Sequence, residues 1–115
     1  MHVEKVDIQK GIAYLANKEE LYVKIVNTFL SGAEKKIEDL KVFFEQGDFE
    51  RLAIEFHGLK SSSATVGATV LPKIAQELEK AGMEGNVEHI KENFKAFIAQ
   101  YEDTCRALKD AIENL

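Results

Sequence analysis

Apolar residues recur every three or four positions along most of the chain, which is the pattern of helices that bury one face. The clearest series consists of Val87, Ile90, Phe94, Phe97, Tyr101, Cys105, Leu108, Ile112 and Leu115. A second series has the same spacing and consists of Leu21, Ile25, Phe29, Ala33, Ile37, Leu40 and Phe44. No segment alternates apolar and polar residues in the manner of a half-buried strand. The pattern therefore predicts an all-α protein.

Capping residues and glycines indicate where the helices begin and end. Asn17 followed by Glu20 has the spacing of a capping box and predicts the start of the second helix, which Gly47 ends. Asp48 can cap the third helix, whose expected buried stripe is Leu52, Phe56, Leu59, Ser63 and Val66. Thr69 can cap the fourth helix, whose expected buried side is Val70, Ile74, Leu78 and Ala81.

These signals predict a single domain over residues 1–115 with five helices. A short N-terminal helix is expected at about 7–16, and four longer helices at about 18–46, 48–66, 69–82 and 86–114. Because the connecting loops are short, consecutive helices are expected to be adjacent and antiparallel. The predicted fold is an antiparallel up-and-down four-helix bundle, with the extra N-terminal helix covering one end.

Composition and charge exclude several classes of function. The net charge is −5 and basic residues are interleaved with acidic ones, so nucleic acid is not an expected partner. No apolar run approaches the length of a membrane span, and the N-terminus does not resemble a signal peptide, so we expect a cytoplasmic protein without membrane insertion. The one cysteine, Cys105, excludes an internal disulfide or a cysteine metal cluster and is expected to pack in the core.

The segment FHGLKSSSATVGA, residues 56–68, is an unusual choice for a helix because it is rich in small, weak helix formers. At about 100° per residue, His57, Lys60, Ser61 and Ala64 share one side of the helix, away from the buried stripe. Small neighbours leave the imidazole accessible to a partner. An imidazole with a free nitrogen is a nucleophile, and Lys60 one turn away suits an anion such as a phosphoryl group.

Other uses of His57 find less support in the sequence. A metal site would need further ligands at suitable spacing, which are missing around His57. A hydrolase would need a positioned nucleophile and an oxyanion element, and neither is evident. From the following helix, either Gln76 or Glu79 is expected to orient the imidazole, and the sequence leaves both open.

The segment from His57 to Ala68 resembles the signature of histidine phosphotransfer (HPt) domains of two-component phosphorelays. The resemblance extends over roughly residues 6 to 82, through VDIQKGIAYLANKEELYVKIVNTFL, QGDFERLAIEFH and LPKIAQELEKAG, whereas the last helix matches in pattern only. Ser61 stands where the family most often has glycine.

The resemblance implies that His57 carries a phosphoryl group between receiver-domain aspartates, that Lys60 stabilises its oxygens, and that the protein is a carrier and not an enzyme. Expected partners are response-regulator receiver domains and a sensor or hybrid histidine kinase. We expect no cofactor on this chain, with magnesium on the receiver, and a monomer. The residues expected to dock the partner are Ile54, Gly58, Ser61, Ala64 and Thr65. The alternative hypothesis is an adaptor that docks receiver or kinase domains without being phosphorylated.

Overall fold

The computed structural model describes residues 6–15 and 18–115. These residues form five helices: α1 Ile8–Tyr14, α2 Glu19–Glu45, α3 Phe49–Thr65, α4 Leu71–Met83 and α5 Val87–Glu113. Within the described ranges there is no strand, only an isolated antiparallel bridge between Val6 and Ala68. The predicted all-α class is confirmed. None of the described helices combines the length and apolar character needed to cross a lipid bilayer.

The four longer helices form an up-and-down bundle in which each helix packs on two others. α3 lies between α2 and α4, and α5 closes the ring by packing on α4 and α2. The longest dimension of the molecule is 40 Å, about the length of a helix of α2's or α5's size at ~1.5 Å per residue. Because α3 and α4 are shorter, α1 covers the end that they leave open and contacts α2 and α3.

Local hydrogen bonds explain most helix starts. The carboxylates of Asp7 and Asp48 and the amide oxygen of Asn86 each accept a backbone N–H three residues later, at 2.9 to 3.2 Å. These residues are caps and precede the helices by one position. The predicted start signal at Asn17 and the end of the first helix at residue 16 lie outside the described residues. The N-cap of α2 is Lys18, which makes no side-chain capping bond.

The expected cap at Thr69 is wrong, because α4 begins two residues later than predicted, with Val70 as N-cap and Pro72 in the first turn. The backbone of Ala68 is held by its bond to the Ser63 carbonyl at 3.0 Å and by its bridge to Val6, which delays the new helix. The buried side therefore shifts by one position at its N-terminal end, and consists of Leu71, Ala75, Leu78 and Ala81.

The buried face of α2 also differs from the prediction at its N-terminal end. Leu21 is 39% exposed, whereas Tyr22 and Val26 are fully buried. The reason is that this part of α2 faces α1 and the end of α3, where the Tyr22 hydroxyl donates to the Val66 carbonyl at 2.7 Å. At the other end of the chain Leu115, predicted to continue the apolar series of α5, is exposed.

The turn after α3 holds the N-terminal segment against the bundle. Gly67 has a φ of +88°, and its carbonyl accepts the backbone N–H of Asp7 at 2.8 Å. A Cβ at position 67 would lie within 2.3 Å of the Asp7 carbonyl oxygen. Gly85 has a similar φ of +72°, but a Cβ there would meet open space. A side chain at position 85 would therefore cause backbone strain alone, whereas one at position 67 would cause the same strain and a steric clash.

Gly67→Ala is expected to lower the free energy of unfolding by about 3 kcal/mol, whereas Gly85→Ala costs only about 1 kcal/mol. Both variants force alanine into the left-handed region, but only Gly67→Ala adds a clash with backbone atoms. Urea denaturation followed by circular dichroism measures both values. Equal losses in the two variants would contradict the role given to the contact with Asp7.

Candidate functional site

His57 lies in the middle of α3 and points sideways from the core. Its neighbours Phe56 and Leu59 are fully buried, while the His57 side chain is 65% exposed. The exposure matches the orientation predicted from the helical wheel. The imidazole is thus presented to solvent by a helix whose opposite side is fixed in the bundle, which makes its position well defined and its ring accessible.

A close approach between α3 and α4 brings a second helix to the histidine. A Cβ added at Gly82 would lie 2.9 Å from the Cβ of Ala53, so only a residue without a side chain fits there. The two helices are antiparallel neighbours. One turn further along α3 from Ala53 is His57, and one turn back along α4 from Gly82 is Glu79. The crossing therefore sets Glu79 at the height of His57.

Glu79 bonds to both candidate side chains that the sequence analysis identified, His57 and Lys60. One carboxylate oxygen accepts a hydrogen bond from His57 Nδ1 at 2.5 Å, and the other accepts from Lys60 Nζ at 3.1 Å. The Glu79 side chain is 13% exposed and that of Lys60 is 33% exposed, so both are partly shielded beside a largely exposed imidazole. The three side chains form a connected acid, base and cation cluster on the α3–α4 surface.

The bond to Glu79 determines which nitrogen of the imidazole is available. An ionised carboxylate can only accept, so the ring nitrogen that faces it, Nδ1, carries the proton. In the neutral imidazole the other nitrogen, Nε2, then has a free lone pair. Because the Glu79 bond holds one edge of the ring against α4, Nε2 lies on the opposite edge and is the candidate nucleophile.

The environment of Glu79 keeps this carboxylate ionised. Burial alone would raise the pKa of Glu79, but the hydrogen bonds from Lys60 and His57, together with their charges, lower it below its usual value of 4.5. A carboxylate that accepts hydrogen bonds from cationic or potentially cationic groups is stabilised in its charged form. Glu79 therefore remains an acceptor throughout the physiological pH range.

Of the two residues that the sequence left open, Glu79 is the one bonded to His57, and Gln76 is exposed on α4 without a bond to the imidazole. The bond between Glu79 and Lys60 was not anticipated, because Lys60 was expected to face only the incoming anion. The sequence does contain a signal for the approach of Glu79 to His57. Ala53 and Gly82 are small residues that permit close helix packing, and Glu79 and His57 each lie one turn from that crossing.

The small and hydroxylated residues after His57 satisfy their own hydroxyls within the helix. Ser63 is buried and donates to the Leu59 carbonyl at 2.5 Å, and Thr65 donates to the Ser61 carbonyl at 2.9 Å. Such bonds to the preceding turn are the usual solution for hydroxyl side chains inside helices. Neither hydroxyl is thereby activated as a nucleophile, and both leave the surface around the imidazole low.

The residues predicted to dock a partner lie beside His57 on α3. Ile54 is a strongly exposed large apolar side chain, Gly58 and Ser61 are also exposed, and Ala64 and Thr65 are half-buried. A Cβ at Gly58 would meet nothing within 4 Å, so packing within this chain does not require glycine there. The surface next to the imidazole is therefore open and contains an apolar residue.

Of the other histidines and the cysteine, the structure describes His89 and Cys105, and neither belongs to the cluster of His57, Lys60 and Glu79. His89 lies in the first turn of α5, where the amide of Asn93 bonds to its carbonyl at 2.8 Å, and His2 lies outside the described residues. Burial raises the pKa of the half-buried Cys105 thiol to about 11; the charge of Arg106 opposes this shift and that of Glu102 adds to it. The thiol is therefore unreactive at neutral pH. Among residues 6–15 and 18–115, no group of three or more potential ligands is arranged to hold a metal ion.

Comparison with known proteins concerns the family and the fold of the chain. A family model described as Hpt domain matches residues 24–115, a range that includes α3, α4, α5 and most of α2. The crystal structure of histidine-containing phosphotransfer protein B from Pseudomonas aeruginosa PAO1 superposes with a TM-score of 0.76. It is 22% identical in sequence, and the alignment covers 95% of this chain and 91% of that one, which shows a common fold. Curated proteins give no significant match.

Glu79→Gln is expected to cost about 1 kcal/mol of unfolding free energy at neutral pH, because a carboxylate with two donors is replaced by a neutral amide. The lowered pKa of Glu79 gives stability that is present above its usual value of 4.5 and is lost as the pH falls below it. Urea denaturation of both proteins between neutral and acidic pH should therefore show their difference shrinking on acidification. A difference independent of pH would contradict the assignment.

Proposed function

Because the chain belongs to the Hpt domain family, whose members serve histidine phosphotransfer in phosphorelays, we propose that His57 is the residue that carries the phosphoryl group. The observation that supports this most is the bond from Nδ1 to Glu79, which leaves Nε2 as the free nitrogen of an exposed imidazole. The partners of His57 in the transfer are aspartates of receiver domains.

In the proposed reaction, the lone pair of His57 Nε2 attacks the phosphorus atom of an aspartyl phosphate. A nitrogen–phosphorus bond forms, the bond between phosphorus and the aspartate oxygen breaks, and the aspartate leaves as a carboxylate. The proton stays on Nδ1, so the ring gains positive charge as the bond forms. The Glu79 carboxylate faces that proton and stabilises the charge. The reverse steps pass the group to a second receiver.

Lys60 is the cation available to the phosphoryl oxygens in this proposal. Its ammonium lies one turn from His57 on the same helix and is bonded to Glu79 at 3.1 Å, while a third of its side chain remains exposed. Its flexible stem allows the ammonium to rotate from the carboxylate toward an incoming phosphoryl group. An ammonium placed beside transferring oxygens stabilises the negative charge they carry in the transition state.

The receiver is proposed to dock on Ile54, Gly58, Ser61, Ala64 and Thr65. The exposed Ile54 side chain supplies apolar area next to the reacting group, and the open space over Gly58 allows the two backbones to approach. A small apolar contact around one charged centre suits a transient complex, which must dissociate after transfer.

The partners carry out the other steps of the relay, which are the supply of the phosphoryl group and the binding of magnesium. Members of the family are phosphocarriers, and we propose that this chain has no kinase or hydrolase activity of its own. The receiver supplies the magnesium ion, and this chain binds no cofactor. A sensor or hybrid histidine kinase is the proposed source of the phosphoryl group. We further propose that the chain acts as a monomer in the cytoplasm.

His57→Gln is expected to keep the fold and to abolish phosphoryl acceptance from a receiver precharged with a small phosphate donor. The variant removes the only proposed nucleophile while its exposed position has little influence on stability. Radiolabelled transfer, with acid and alkali treatment of the product, gives the readout. His89→Gln is the matched control. It should accept the label to the same extent as wild type, and that label should be acid-labile and alkali-stable.

Label retained on His57→Gln would contradict the assignment of the carrier. If wild type accepts no label from several receivers but still binds them, the non-phosphorylated adaptor becomes the better account. Circular dichroism of each variant ensures that a negative result does not come from unfolding.

Lys60→Gln and Ile54→Ser are expected to affect different kinetic constants. Lys60→Gln should lower the rate constant within the complex by about 10- to 100-fold, because it removes charge stabilisation of the transition state. Ile54→Ser should raise the half-saturating receiver concentration several-fold and leave that rate constant almost unchanged. Rapid-quench transfer at varied receiver concentration measures both. Lys80→Gln, on the exposed side of α4, is the control for the loss of a positive charge and should change neither constant. If Lys60→Gln changed mainly the half-saturating concentration and Ile54→Ser mainly the rate constant, the roles given to the two residues would be wrong.

A further inference from the structure

Ser61 is the first hydroxyl residue after His57 in α3 and follows it by one turn of the helix. Residues four positions apart are neighbours on a helix surface, with Cβ atoms about 5 to 6 Å apart. Side chains lean toward the N-terminus of their helix, so the Ser61 hydroxyl leans toward the turn that holds His57. Both residues are exposed. The imidazole and the hydroxyl therefore share one open surface.

The Ser61 hydroxyl differs from the three hydroxyls that follow it in α3. Ser63 and Thr65 donate to carbonyls of the preceding turn at 2.5 and 2.9 Å, and Ser62 reaches the Leu59 carbonyl at 3.5 Å. Ser61 takes part in this pattern only through its backbone carbonyl, which accepts from Thr65. Within the described part of the chain its hydroxyl makes no hydrogen bond. It is thus available to a group bound at this surface.

The bond to Glu79 turns the free edge of the imidazole toward the side of α3 that carries Ser61. Nδ1 of His57 faces Glu79 on α4, and Lys60 lies on the same side because it bonds to the other carboxylate oxygen. On the helical wheel Ser61 lies about 100° from Lys60, on the other side of His57. Nε2 is on the ring edge away from α4. A phosphoryl group on Nε2 therefore extends on the side of Ser61.

A phosphoryl group on His57 has more acceptor atoms than Lys60 alone can satisfy. It has three oxygens that share its negative charge, whereas Lys60 supplies one ammonium, which Glu79 also binds. In the proposed relay the donors and the magnesium ion of the receiver leave when the complex dissociates. The oxygens that face away from Lys60 then depend on water or on another donor of this chain. A hydroxyl makes a stronger hydrogen bond to such a charged oxygen than to a neutral one.

We propose that Ser61 is a phosphoryl-binding residue, whose Oγ–H donates to a nonbridging oxygen of the phosphoryl group on Nε2 of His57. The inference rests on the proposed function, since it concerns the phosphorylated state. The nitrogen–phosphorus bond still forms as the bond between phosphorus and the aspartate oxygen breaks, and the serine keeps its proton throughout. Because the hydrogen bond exists only in the phosphorylated protein, it shifts the transfer equilibrium toward this chain.

The transfer equilibrium distinguishes this role from docking. Docking changes the rates in both directions, but it cannot change the equilibrium between the free phosphorylated and unphosphorylated proteins. A radiolabelled receiver domain with slow hydrolysis of its own is freed of its small donor and mixed with each variant until the distribution of label is constant. Ser61→Ala is expected to lower the equilibrium constant for acceptance about fivefold. Alanine is the better helix former, so the variant keeps the fold.

Matched variants test the hydroxyl itself. Ser61→Thr keeps a hydroxyl at this position and should recover most of the loss. Ser62→Ala removes the neighbouring hydroxyl, which is directed to the Leu59 carbonyl, and should leave the equilibrium unchanged. Ile54→Ser, a docking variant, should slow the approach to the same final distribution. In heteronuclear NMR, phosphorylation should shift the Cβ resonance of Ser61 more than that of Ser62.

The proposal is overturned if Ser61→Ala and wild type hold the same share of label at equilibrium, or if Ser61→Thr loses as much as Ser61→Ala. An equal fall in Ile54→Ser or Ser62→Ala would also overturn it, because the effect would not belong to this hydroxyl. If wild type takes no label, or His57→Gln takes it, the proposed function fails and this inference fails with it. A labelled wild type with an unchanged equilibrium in Ser61→Ala overturns this inference alone.

Discussion

The close contact between α3 and α4 at Ala53 and Gly82 is the constraint on which the cluster of His57, Lys60 and Glu79 depends. Side chains no larger than a methyl group allow the two helices to approach until a Cβ at position 82 would be too close to Ala53. One turn away, this separation is the distance that a glutamate can span to reach an imidazole on the neighbouring helix. A larger residue at the crossing would move the carboxylate away from His57 while leaving the histidine itself exposed and unchanged. The chemistry therefore depends on backbone packing as much as on the identity of the histidine.

The charges of Glu79 and Lys60 balance each other within the cluster. In the resting protein the charge of Glu79 is balanced by Lys60, and the imidazole of His57 donates the second hydrogen bond to the carboxylate. In the proposed transfer, the ring becomes the cationic partner of Glu79 once Nε2 takes up a phosphoryl group, and Lys60 is then free to approach the phosphoryl oxygens. Each anion then has a cation beside it before and after transfer. This exchange of partners requires only rotation of a flexible lysine side chain, which suits a carrier that must both accept and release its group.

Helix periodicity was sufficient to predict the bundle and the orientation of His57, because the buried stripe of α3 is regular and leaves the histidine on the other side. It failed where contacts come from distant parts of the chain. The burial of Tyr22 in place of Leu21 follows from a backbone carbonyl 44 residues away, and the late start of α4 follows from hydrogen bonds in the preceding turn. The choice between Gln76 and Glu79 depended on the register of α4 on α3. Nor does the sequence predict that the Tyr101 hydroxyl has no hydrogen-bond partner among the described residues, because this depends on the side chains that pack around it.

The central claim is that Glu79 holds the proton on Nδ1 of His57 and so directs phosphorylation to Nε2. Heteronuclear NMR of the imidazole nitrogens, recorded before and after phosphorylation by a charged receiver, tests this directly. We expect the resting neutral ring to carry its proton on Nδ1, and the phosphorylated ring to show coupling between phosphorus and Nε2 with Nδ1 still protonated. A resting ring protonated on Nε2, or a phosphorus coupling to Nδ1, would contradict the account.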